Sequence, residues 1–119
     1  MKRSVRLRLH DILEAIDGIG STSAGMTFAE YQRSWQARRA VERGVEIISE
    51  ASRHIPEELK LRYPRIYWRE IVGIGNLLRH EYGRIDDRIM WRVVEKYLPE
   101  LKVVVLDMLK LQGPPKPRR

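Results

Sequence analysis

Cysteine is absent from this 119-residue chain, so neither disulfides nor thiolate metal ligands contribute to it. That absence does not choose between compartments. No apolar run approaches the roughly 20 residues that a membrane-spanning helix needs. Beyond the opening residues no stretch alternates apolar and polar residues as a strand would, and no segment repeats. There is no His-Glu-x-x-His metal motif, no acidic pair at useful spacing and no glycine-rich phosphate loop following a strand. No metal site and no cofactor are expected. The segment Met1–Arg8 alternates charged and apolar residues and leads straight into an amphipathic pattern. It does not read as a secretory signal, so a cytoplasmic protein with no membrane partner is the simplest expectation.

Acids are missing from both ends. Lys2, Arg3, Arg6 and Arg8 open the chain, and Lys116, Arg118 and Arg119 close it. These carry the whole net charge of +7, and residues 9–112 balance. Such ends either keep a protein soluble or act as arms that find a phosphate backbone. Arginine supplies 17 of the 23 basic residues. Its fork suits phosphate or carboxylate, hence RNA or an acidic partner surface.

What is present is helical periodicity. Val5, Leu9, Ile12, Ile16 and Ile19 mark one face of a first helix, with Gly18 and Gly20 expected to end it and Ser21–Gly25 to form a loop. Thr27 caps a short helical turn carrying Phe28 and Tyr31. A second long helix is predicted from about Ser34 to His54, with a stripe of Val41, Val45, Ile48 and Ala51. Its flank of Ala37, Ala40, Gly44 and Ile47 lets another helix come close. Pro56, Glu57 and Glu58 suit the first turn of a short helix. A third long helix covers about Tyr67–Tyr82. A fourth, capped by Asp86 and Asp87, runs to about Leu111, with a kink or two helices end to end expected at Pro99. The fold expected is all-α, an up-and-down bundle of four to five helices. It forms one domain over residues 1–112, followed by a disordered basic, proline-rich tail at 113–119.

One stretch carries more than packing information: Gly73-Ile-Gly-Asn-Leu-Leu-Arg-His-Glu-Tyr82. Asn76 and His80 are four apart and share a helix face, as do Gly75 and Arg79 on the adjacent strip. Tyr82 follows near the helix end. Metal-independent RNA cleavage needs a base for the 2′-hydroxyl proton, an acid for the leaving oxygen and donors for charge on the phosphate. Histidine suits the proton work. Arginine and asparagine suit the donor role, and the 2′-hydroxyl restricts the reaction to RNA. By pattern alone, a histidine near a helix end serves equally well as a structural residue. His10 and His54 lie on other helices without ligand spacing and read as surface or capping residues. Glu46 and Glu50 share one face, either solvated or meeting a partner subunit or an arginine near the site. Trp35, Trp68 and Trp91 read as core or interface anchors, with Tyr67 and Trp68 the alternative stacking platform.

The segment Ile71–Tyr82, with Ile85-Asp-Asp87 and Trp91 after it, resembles the signature of the HepT-like ribonuclease toxins of the HEPN superfamily. The helix Arg39-Ala-Val-Glu-Arg-Gly-Val-Glu-Ile-Ile-Ser-Glu-Ala51, the opening Leu9–Ile16 and Leu98-Pro-Glu-Leu101 resemble it too. The resemblance covers nearly the whole chain to Gln112. It implies a helical bundle that pairs into a homodimer or higher even oligomer. It also implies an RNA substrate and a minimal nucleotidyltransferase antitoxin as partner. The family's motif is Arg, four residues, His, any residue, Tyr, with a polar residue after the Arg. Here it places Asn76, His80 and Arg79 in the site and makes Tyr82 the candidate acceptor of an adenylyl group. The motif arginine falls on Gly75, a departure. Either Arg79, one turn on, sweeps over the space glycine leaves, or phosphate positioning is lost and the protein binds RNA, nucleotide or a partner without cleaving. A plain helical dimerisation protein is the third reading.

Overall fold

A computed structural model describes residues 4–80 and 85–113. Helix α1 spans Val5–Ser23 and is capped by the Ser4 hydroxyl, which accepts from the Leu7 amide at 3.2 Å. Leu9, Ile12, Ile16 and Ile19 are buried along one stripe. Gly18 and Gly20 do not end this helix: the three-and-four repeat continues to Ser23, buried with its hydroxyl donating to the Ile19 carbonyl at 2.8 Å. The turn comes at Gly25, whose φ of 73° favours glycine. Two glycines of about 1 kcal/mol each are therefore tolerated inside α1 because its buried face outweighs them.

Thr27 opens the short α2, Phe28–Arg33, through a capping box with Glu30. Ser34 caps α3, Trp35–Arg53. Pro56 precedes the four-residue α4, Glu57–Lys60. Helix α5 is Trp68–His80. Asp86 caps α6, Asp87–Arg92, by accepting from the Arg88 amide at 2.8 Å. A π-helical turn, Val93–Tyr97, joins it to α7, Leu98–Gln112. The expected interruption at Pro99 is thus a wider turn, not two separate helices. Proline has no N–H to return to the preceding turn, and the Leu98 amide reaches back five residues to the Val93 carbonyl.

Four long rods form an up-and-down bundle: α1, α3, α5 and the continuous α6–α7 rod. Helix α3 is the hub. Gly44 of α3 admits Ile19 of α1, since a β-carbon there would lie 2.5 Å from the Ile19 side chain. The flank of small residues thus receives a helix as its composition predicts. Helix α7 lies along α1, antiparallel to it. Lys102 pairs with Asp17 at 2.8 Å, and Arg6 donates to the Gly113 carbonyl at 2.5 Å. Gly113 is therefore held against α1; residues 114–119 of the expected tail lie outside the described residues, as do residues 1–3. Tyr63 donates to Asp107 and ties the segment before α5 onto α7. Helix α5 leans chiefly on α3. This leaves its far side open and a narrow apolar cleft of about 70 Å³ between Ile71, Ile74, Tyr97 and Leu101.

Candidate active site

Helix α5 is placed by a close approach to α3. Gly75 is buried, and a β-carbon there would fall 2.0 Å from the Ser49 hydroxyl and 2.3 Å from its β-carbon. The Ser49 hydroxyl donates to the Val72 carbonyl of α5 at 3.3 Å. Gly75 is thus glycine because α3 occupies the space where a side chain would begin. Gly73, two residues earlier, faces open space.

On the same helix Asn76 and His80 are exposed, and Arg79 is half-buried. Arg79 does not extend into solvent. Its guanidinium turns back along α5 and donates to the side-chain oxygen of Asn76. One of its nitrogens lies 3.7 Å from the β-carbon position of Gly75. The structure therefore brings Arg79 together with Asn76 and over Gly75, at the end of the helix where His80 is open. The imidazole is not sealed in the core. Tyr82 falls within residues 81–84, outside the described residues.

Arg79 also borders a groove of about 410 Å³ with Arg8, Asp11, Arg43, Glu46, Glu50 and Arg53. Arg43 pairs with Glu46 at 3.2 Å, and Glu50 meets His54 at 3.1 Å and Arg53 at 3.9 Å. The hydrogen bond from His54 lowers the Glu50 carboxyl, with smaller contributions from nearby Arg53 and Arg79. Glu50 is solvated, and both acids pair with basic residues of their own helix, in the groove that Arg79 borders. Arg8, Arg43 and Arg53 were not legible as neighbours of Arg79, because they come from other turns and another helix. The only signal was the acidic pair they accompany. His10 is exposed on α1, and His54 caps α3.

The tryptophans divide. Trp91 packs against buried Tyr31 with ring centroids 5.0 Å apart, and Trp68 is half-buried beneath Lys60. Trp35 is 64% exposed and Tyr67 63%, so neither is a core anchor. Among the described residues no group of three histidine or acidic side chains could hold a metal ion, and no helix is long and apolar enough to cross a membrane.

The family model described as "Ribonuclease HepT-like" matches residues 12–108. The chain belongs to the HepT-like family. Among curated relatives, "Probable ribonuclease HepT" of Thermococcus cleftensis is 38% identical over 102 residues, covering 86% of this chain and 93% of its own. A protein of Methanocaldococcus jannaschii, named as a candidate RNase, is 36% identical over 101 residues, covering 85% of this chain and 93% of its own. No solved structure matches. In this HepT-like chain Ser49 leaves no room for a side chain at Gly75, and an Arg79 guanidinium nitrogen lies 3.7 Å from that β-carbon position.

Proposed function

We propose that this protein is a metal-independent endoribonuclease, with His80, Asn76 and Arg79 as its site. The observation that carries the reading is the Arg79 guanidinium folded over Gly75 and bonded to Asn76, beside an open imidazole. Membership of a ribonuclease family supports it. His80 takes the proton of a 2′-hydroxyl, and the freed oxygen attacks the adjacent phosphorus. The bond to the 5′-oxygen breaks, that oxygen is protonated, and a 2′,3′-cyclic phosphate remains. Arg79 and the Asn76 amide N–H groups stabilise the charge on the non-bridging oxygens. Arg79 needs no approach path, because its fork is held at the helix surface before substrate arrives.

In-line displacement puts the attacking and leaving oxygens on opposite sides of phosphorus. A second proton donor therefore has to stand opposite His80, and a second copy of the chain supplies one. The outward face of α5 supports this pairing: Leu77, 45% exposed, lies between Asn76 and His80, with open Gly73 one turn before it. The resemblance adds a nucleotidyltransferase antitoxin to the proposal. Attack of the Tyr82 phenol on the α-phosphorus of a nucleoside triphosphate would release pyrophosphate and leave an adenylyl group that obstructs RNA. The test is metal-free incubation of single-stranded RNA with wild type and His80→Ala. Cyclic-phosphate ends are expected from wild type alone.

A second reading, binding without cleavage, is favoured by Gly75, where the motif arginine is missing. Gly75→Arg does not test it cleanly, although the sequence suggests that variant. Ser49 blocks the first atom of the new side chain, so lost packing would mask any gained chemistry.

A further inference from the structure

Arg88, Arg92 and Lys96 line one shallow groove with Phe28, Trp91 and Glu95, between α2 and the α6–π-turn segment. They recur every fourth residue and line one side of the rod, Arg88 and Arg92 about 6 Å apart along α6 and Lys96 on the π-helical turn that follows. Like charges at this spacing repel, and a helix gains nothing locally from carrying them.

Several basic residues elsewhere in the bundle are paired. On α3, Arg39 meets Glu42 and Arg43 meets Glu46, both at 3.2 Å; Lys102 meets Asp17 at 2.8 Å. Among the described residues, Arg88, Arg92 and Lys96 form no ion pair. Glu95 stands three residues after Arg92, the separation that pairs the α3 arginines, yet makes no pair with it. Arg88 and Arg92 are left open and Lys96 lies 5.6 Å over the Tyr97 ring, in a row along an aromatic floor of Phe28 and Trp91, with Tyr31 packed behind Trp91.

We propose that this groove is a track for single-stranded RNA. The inference rests on the ribonuclease reading for its choice of polyanion. A row of cations fits a backbone with a charge on every repeat, and an aromatic floor gives unpaired bases a surface to stack on. An acidic peptide would use the charges but not the rings.

The test is the binding of a fluorescent oligouridylate of about 12 nucleotides, a length within the range single-strand grooves cover. Anisotropy is recorded across a salt series with the full chain carrying His80→Ala, so that nothing is cut. Adding Arg88→Gln, Arg92→Gln and Lys96→Gln should weaken binding at low salt by about tenfold or more. It should also flatten the slope of log K against log salt by about 2, near 0.7 for each cation on a single strand. Glu95→Gln removes the groove's carboxylate and should tighten binding, which keeps the test decisive if the triple variant folds poorly. Unchanged affinity and slope in the folded triple variant, or unchanged affinity in Glu95→Gln, would overturn the track. Cleavage is not read in this experiment, so failure of the track and failure of the His80 site are told apart.

Discussion

Arg79 donates a hydrogen bond to the side-chain oxygen of Asn76, three residues earlier on α5, and its guanidinium lies against the bare face of Gly75. Two polar side chains are thereby fixed relative to each other before any substrate arrives. Such preorganisation is what lets a donor stabilise developing charge without reorganising.

Arg79→Ala should therefore lower RNA cleavage by roughly 10²–10³ in kcat, the usual loss for one such donor. Stability should fall by only about 1 kcal/mol, the net worth of the one hydrogen bond that the half-buried side chain donates to Asn76. Arg79→Lys should not rescue the rate, since an ammonium cannot hold Asn76 and a phosphate with one planar fork. Single-turnover cleavage and a urea melt of each variant check both halves.

Gly75 and Ser49 set the spacing of α5 on α3. Gly75→Ala should destabilise the protein, because overpacking of about 1–3 kcal/mol exceeds the helix propensity of about 1 kcal/mol that alanine brings. Combining it with Ser49→Gly should recover much of the loss, as coupling between touching residues requires. Gly18→Ala should instead stabilise, by about 0.5–1 kcal/mol, because nothing lies within 4 Å of its β-carbon position. Denaturant melts of the three variants and wild type would test the contrast; equal responses at positions 18 and 75 would contradict it.

Much of the bundle was legible from local signals. Ser34 at the start of α3, the Thr27–Glu30 capping box and Pro56 before α4 each act through the backbone within a turn, so a linear sequence displays them. The end of α1 was not. Gly18 and Gly20 are weak breakers, and what overrides them is burial of Ile19 in a notch made by Gly44, 25 positions away. Asn76, Arg79 and His80 were legible as neighbours because helical spacing dictates it. Two glycines in one helix suggest close packing against a neighbour, but that Gly75 and not Gly73 is the contact, with Ser49 opposite, was not legible, because Ser49 is on another helix. Nor was the absence of an ion pair at Arg88, Arg92 and Lys96, which depends on Glu95 failing to pair.

Glu42, half-buried beside Tyr31 and paired with Arg39, has its carboxyl raised above the usual range, chiefly by desolvation. The same burial pushes the Tyr31 phenol far up. A raised carboxyl binds its proton more tightly when folded. Its contribution to stability is therefore complete below the ordinary carboxylate range and is lost as pH rises through the raised value. Glu42→Gln lacks that loss, so its Tm relative to wild type should climb with pH across this window. A difference that stays level or falls would contradict the assignment.

The most direct measurement is metal-free RNA cleavage by purified wild-type protein and by His80→Ala, with product ends identified. The account predicts fragments ending in 2′,3′-cyclic phosphate from wild type and a fall of about 10²–10⁴ in rate for the variant, the range for losing a positioned acid–base group. The variant's melting curve should be unchanged, since the imidazole is exposed. Equal cleavage by the two proteins, or none by either, would contradict the account.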